Sequence, residues 1–445
     1  MDKKILKSVI NLAIPAIVST LLLSLQMIVD TIMLGRYPPA DVSLAALGVG
    51  SILYFMSFPI VMGLVTGSTA IIARRWGENN YDEACRVASD SFSTMILISI
   101  PITLIMFFLG TNIIKLLGAT GDVIIEGTKY ILAVFAFYSF NIFLISYSGM
   151  LVAAGDTKTP MIVNIITNVY NIVMNYLLIF GTFGFPELGV LGAGIATGTS
   201  YLVGFIAYIL LQLKNKLIIY PSFRTNIKIR LATVKKIFNI GIPAGMDMGM
   251  WAISSVFVTP LILYFGSVGY SAYVIGLRSE SIAYMPGVGF GVAATTLAGQ
   301  YLGAKKTKKA KEAVMIATKF SMITMGTLGL FLILFPEFIA RIFTVDAEVI
   351  EIATIYLLLM GFSEPALGAI FTLTGGMRGA GYTRVPLAIN FAGLIVIRLL
   401  LLYLLAFALG LGLLGIWIGM IIEMFIRVLL MYGVFAKGSW MKVEV

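Results

Sequence analysis

Residues Ser19–Gly35 read STLLLSLQMIVDTIMLG, and Asp30 is the residue in them that needs explaining. The run around it is apolar enough to lie in a bilayer. An aspartate at the centre of a membrane helix costs about 2.5–3.5 kcal/mol on insertion scales, so it faces protein or a cavity rather than lipid. At about 100° per residue, Ser19, Gln26 and Asp30 fall within about 40° of one another and form a polar stripe on one helix face. Two readings follow: an ion or proton site, or a structural aspartate held near the helix end that Gly35 and Arg36 mark.

Working outward, the same apolar character recurs along all 445 residues: 59% are hydrophobic and 12% charged, against about 25% charged in ordinary soluble domains. Mean hydropathy is +1.00. The pattern predicts twelve spans, centred near residues 22, 58, 97, 140, 170, 200, 250, 285, 322, 362, 397 and 425, each about 20 residues long. The first apolar run starts at Ile5 and passes Asp30 without a small-residue cleavage site, so no cleaved signal peptide is expected. Cys85 is the single cysteine and there is no histidine. An intramolecular disulfide, a multi-cysteine metal site and histidine acid–base chemistry are therefore excluded.

Charge placement sets the topology. With the N-terminus inside, the outer connections keep only Arg36, Lys115, Lys129 and Arg341 of the 31 basic residues. Arg278, Lys319, Arg398 and Arg427 stay within spans. The rest, including Lys3, Arg74, Arg86, Lys158, Arg224, Lys228 and the Lys305–Lys311 cluster, are cytoplasmic. This positive-inside bias accounts for the +10 net charge without nucleic acid. Both termini are expected in the cytoplasm, and the chain in the plasma (inner) membrane.

The chain also repeats. Ile14-Pro15 returns as Ile242-Pro243, and Pro59–Gly77 as Pro286–Gly303. Gly155-Asp156-Thr157-Lys158-Thr159-Pro160 returns as Gly381-Tyr382-Thr383-Arg384-Val385-Pro386, and Gly189-Val190-Leu191-Gly192 as Gly412-Leu413-Leu414-Gly415. Four matches in order at nearly constant offset indicate duplication. Six spans per copy give both copies one orientation, hence an all-α polytopic membrane protein of two parallel six-helix repeats with a cavity between them. The expected division is a lobe at 1–213, a basic linker at 214–236 and a second lobe at 237–445.

The fifth span carries Asn164, Asn168, Asn171 and Asn175 at spacings that place them on one face. They either line a hydrated cavity or bond between helices, at about 0.6 kcal/mol per bond. Gln26, Tyr138, Asn164 and Asn168 are further cavity-lining candidates. The second half has Asp247, Arg278, Glu280, Glu364, Arg398, Glu423 and Arg427 inside spans. Glu423 and Arg427, four apart, can pair locally. Asp247, Glu280 and Glu364 either pair with other helices or line the cavity and attract a cation. Pro15, Pro59, Pro243, Pro286 and Pro365 fall within spans, as static kinks or as hinges.

The chain resembles the multidrug and toxic compound extrusion (MATE) family over its full length, and within it the DinF-like branch. The residues that carry this are Ile14-Pro15, VDTIMLGR around Asp30, ARRWGENN from Ala73, and AAGDTKTP from Ala153. NIVMNYLLIFG from Asn171, LGVLGAGIATGTS from Leu188, the stretch Leu277–Ala304 and MRGAGYTRVP from Met377 complete the set. The resemblance implies a V-shaped, two-lobe antiporter that exports drugs or metabolites by alternating access. It would be driven by protons or sodium through the N-terminal lobe. Asp30 would be the coupling carboxylate, with Asn171 and Asn175 as partners and Thr197 as neighbour. No cofactor beyond the coupling H+ or Na+ is implied, nor any metal beyond Na+ at Asp30. Substrates would be small, amphipathic, cationic organic compounds, and the protein would work as a monomer in the lipid bilayer. Where some relatives carry a second aspartate, this chain has Asn175, so Asp30 stands as the one acidic centre of that lobe. A lipid-linked saccharide flippase of the same superfamily is the alternative, and Arg278, Arg398 and Arg427 would serve it. An enzyme is not expected, and no Gly-x-x-x-x-Gly-Lys-Ser/Thr loop is present to bind a nucleotide.

Overall fold

The computed structural model describes residues 2–221 and 229–444, and every described regular element in it is helical. Arg224 and Lys228, assigned to the cytoplasmic side above, lie outside the described residues. Ten helices are long and apolar enough to span a membrane. They are α1 (Lys3–Gly35), α2 (Ala40–Gly77), α3 (Tyr81–Leu116), α6 (Lys158–Phe180), α7 (Gly189–Leu213), α8 (Leu231–Leu263), α9 (Ser267–Gly303), α10 (Thr307–Leu334), the stretch Arg384–Ala408 and α16 (Gly412–Lys437). Two bent pairs supply the other two spans: α4 (Asp122–Ala136) with α5 (Tyr138–Ala154), at 49°, and α12 (Ala347–Gly361) with α13 (Glu364–Gly379), at 52°. Each of the twelve centres read from hydropathy falls inside one of these spans.

Local chemistry sets the ends. The Asn80 side chain accepts from the Glu83 amide and caps α3, and Asp346 accepts from the Glu348 and Val349 amides at the start of α12. Pro15, Pro59, Pro243 and Pro286 sit inside unbroken helices, and so do Pro101 and Pro260. Pro365 instead opens α13 at the 52° bend, where its missing N–H costs no helical bond. The eight-residue α11 (Pro336–Phe343) was not foreseen; it is too short to register as a span.

The Arg384–Ala408 span is irregular. It starts as α14 (Arg384–Phe391), widens into a π-helical stretch at Ala392–Ile397, resumes as α15 (Arg398–Tyr403), and widens again at Leu404–Ala408. A π turn loosens the backbone ladder. One released carbonyl, that of Leu394, accepts from the Ser254 hydroxyl of α8 at 2.9 Å.

The chain divides into two compact units. One holds Leu21–Ile72 and Asn80–Asn239; the other holds Ile240–Val445 together with Met1–Thr20 and Ala73–Asn79. The lobes drawn from sequence, at 1–213 and 237–445, share the long segments of these units but not the two short ones. The duplication is visible in packing. A Cβ on Gly192 would lie 2.5 Å from the carbonyl oxygen of Leu178 in the preceding span, and one on its counterpart Gly415 would lie 2.6 Å from the Leu405 carbonyl carbon. The ends of the Pro59–Gly77 and Pro286–Gly303 copies meet each other reciprocally. Gly77 packs on the Gln300 backbone and Gly303 on the Arg74 backbone, each too tightly for a side chain.

Candidate functional site

In the unit containing Leu21–Ile72 and Asn80–Asn239, α1, α6 and α7 converge on one buried polar chain. Asp30 is 6% exposed and accepts a 2.5 Å hydrogen bond from Asn175 Nδ2. The same amide lies 3.1 Å from Asn171 Oδ1, and Asn171 Nδ2 donates to Thr197 Oγ1 at 3.3 Å. Asn171 and Asn175 are four apart, one turn of α6, which is why both reach α1 and α7 from one face. The small residues of α7 permit the approach: a Cβ on Gly194 would lie 2.9 Å from the Tyr130 carbonyl oxygen of α4. Tyr130 then bonds to Thr197 through its hydroxyl. Tyr130 was not singled out in the sequence, since a lone tyrosine in an apolar span has no periodic partner to betray it.

The electrostatics of this chain are unusual for a bilayer. Among the described residues no lysine or arginine pairs with Asp30; its polar neighbours are neutral amides and hydroxyls. Asn175 Oδ1 is buried with no hydrogen-bond partner. An unneutralised carboxylate therefore sits beside an unused amide oxygen, with the Asn171 and Thr197 oxygens next in line. Oxygen donors of this type suit a hard cation, and the carboxylate alone suits a proton.

The remaining candidates separate into other settings. Asn168 turns back on α6 and donates to the Asn164 carbonyl at 2.9 Å, so the four-asparagine stripe splits after its first two members. Asn164 and Gln26 are half-buried. Tyr138 is buried, shares a 2.5 Å bond with the Ser57 hydroxyl, and packs on Tyr54 and Phe135.

In the unit containing Ile240–Val445, Asp247 is taken up by Arg378 and Asn390, each at 2.5 Å. Asn390 accepts from Arg427 at 3.3 Å, Arg427 pairs with Glu423 at 2.7 Å, and Glu423 pairs with Arg398 at 2.7 Å. The local pairing read for Glu423 and Arg427 is present, and it belongs to a longer ladder. Arg278 is exposed. Glu280 accepts from the Tyr356 hydroxyl at 2.8 Å. Glu364 is fully buried, neither of its oxygens has a partner, and it lies within electrostatic reach of Glu280. Asp247, Glu280 and Glu364 thus do not form one cluster, and among the described residues no group of three or more acidic, cysteine or histidine side chains could hold a metal ion.

A multi-pass helical bundle with a carboxylate buried among neutral polar groups defines the class: a polytopic membrane protein with a buried polar site. The MatE family model matches residues 15–177 and 243–404, one match in each half of the duplication. The chain belongs to the MatE family. It is 30% identical over 442 residues to the probable multidrug resistance protein NorM of Thermotoga maritima, covering 99% of this chain and 94% of that protein. Among solved structures, a MOP superfamily transporter from Pyrococcus furiosus superposes with a TM-score of 0.91 at 22% identity, over 99% of this chain and 97% of that one. The Vibrio cholerae MATE transporter VcmN in its bent form gives 0.88 at 24% identity, over 98% and 97%.

Proposed function

We propose that the protein is a cation-coupled exporter of amphipathic organic compounds, with Asp30 as the group that takes up the driving proton or sodium ion. The observation that carries this is the pairing of a buried, uncompensated carboxylate with neutral oxygen donors. The likeness over full length to a protein named for multidrug resistance supports the substrate class. The charge bias of the connections supports a plasma-membrane protein with both termini in the cytoplasm.

A charge left bare in low dielectric is costly, so loading with a cation favours the closed network. With Asp30 ionised, Asn175 presents its N–H; once Asp30 is protonated, the amide can turn and accept instead. Either event alters the joint between α1 and α6. Movement of the Pro-containing helices then exchanges access between the two sides of the membrane. The flippase reading loses two of its three arginines, because Arg398 and Arg427 are both engaged by Glu423, and it rests on the exposed Arg278 alone.

The test is efflux of ethidium from proteoliposomes under separately imposed proton and sodium gradients, with wild type and Asp30→Asn side by side. Wild type should export under one gradient, and the variant should lose gradient-driven export while remaining folded. Equal export by the variant would remove Asp30 from coupling.

A further inference from the structure

A cavity of about 400 Å³ lies within the same unit as Asp30 and is framed by the end of α1 and the starts of α2, α4 and α7. Its lining includes Asp122, Glu126 and Glu187 against a single cation, Lys129. Lys129 is spent on Glu126 at 2.6 Å. Glu187 accepts from the Tyr37 hydroxyl, a neutral donor that leaves its charge in place. The cavity therefore holds an excess of two negative charges. Ser43 also lines it, is 2% exposed, and has no side-chain hydrogen bond within the described residues, so one more oxygen donor is unused there.

The elements that frame this cavity are those that build the Asp30 network. Tyr37 follows Asp30 by seven residues, and Thr197 follows Val190, another lining residue, by seven. Seven residues of helix rise about 10 Å. On α4, Lys129 faces the cavity while the next residue, Tyr130, is buried and bonds to Thr197. The negative cavity is thus about two helical turns from the Asp30 network along α1 and α7, and α4 touches both through the adjacent Lys129 and Tyr130.

We propose that this cavity is an outer cation-gathering vestibule: Asp122, Glu126 and Glu187 concentrate a small monovalent cation, sodium or hydronium, at the mouth of the Asp30 network. The proposal rests on the coupling role given to Asp30 and on the outward placement of the α1–α2 connection. A cleft lined by one sign of charge raises the local concentration of counter-ions, and the effect fades as salt screens it. Lys129 works against the gathering and sets its strength.

The experiment is equilibrium binding of radioactive sodium to the full chain in nanodiscs. It compares wild type, Asp30→Asn, Lys129→Gln and a triple variant, Asp122→Asn/Glu126→Gln/Glu187→Gln. At about 10 mM ionic strength, where the Debye length is about 30 Å, the triple variant should weaken binding about three- to tenfold and Lys129→Gln should tighten it. Both shifts should shrink to within about twofold at about 0.5 M choline chloride, where screening removes the long-range field. Asp30→Asn should abolish binding at either salt. If the wild type binds no sodium, the same comparison is made on protons taken up relative to Asp30→Asn. The pH of half-uptake should then fall by about half to one unit in the triple variant, since tenfold in affinity is one unit. Loss of binding in Asp30→Asn with unchanged low-salt affinity in the triple variant overturns the vestibule alone. A triple-variant shift that survives high salt also overturns it, because that would be a structural effect. Unchanged binding in Asp30→Asn overturns the coupling reading, and the vestibule with it.

Discussion

Glu423 is the residue on which two buried arginines depend. Its side chain has no exposure, and it faces Arg398 and Arg427, which are 7% and 6% exposed. Glu423→Gln would leave two guanidinium groups beside a neutral amide. Removing one partner from a buried ion pair costs about 3–5 kcal/mol, so thermal unfolding in detergent should fall by several degrees, and a melting curve like that of the wild type would count against the ladder. Single-residue chemistry of this kind was legible only where both partners share a helix. The Glu423–Arg427 and Asn171–Asn175 spacings show in the sequence because i and i+4 meet on one face. Asp247 was open between pairing and cavity; its partner Arg378 lies 131 residues away, and no periodicity within one span announces that. Tyr130 was silent for the same reason.

At the scale of elements, hydropathy located every span, yet it gave no sign of the two π-helical stretches in Arg384–Ala408. Both kinds of turn present similar apolar surfaces to lipid, so composition does not separate them. What marks the first stretch is Gly393. A Cβ there would lie 2.7 Å from Glu423 Oε1 and 2.9 Å from Arg427 Cδ, so the widened helix and the ion ladder share one space. Gly393→Ala should destabilise the protein by about 1–3 kcal/mol through overpacking. In a Glu423→Ala background, where the space is vacated, the same change should cost much less. A double-mutant cycle of detergent unfolding reads the difference, and strictly additive effects would separate the glycine from the ladder.

For the molecule as a whole, the repeats were readable because glycines recur at nearly constant offset. Why they recur was not readable: sequence does not reveal that Gly77 and Gly303 each meet the other copy's backbone. The short segment Ala73–Asn79 joins the unit of Ile240–Val445, a grouping that sequence order alone would not give. Gly303→Ala puts a methyl group against a main chain that has no rotamer with which to yield. We expect a loss of about 1–3 kcal/mol, visible as a lower melting temperature and a broadened size-exclusion peak. A variant as stable and monodisperse as the wild type would mean that this contact is loose.

The same reciprocity carries a historical consequence. A contact in which one copy's Gly77 touches the other near Gln300, while that copy's Gly303 touches the first at Arg74, has the form of an isologous dimer seam. An ancestral six-span half would have met a second molecule of itself there. Joining two such halves in one chain would turn that meeting between molecules into a fold within one, at the close approach that Gly77 and Gly303 permit.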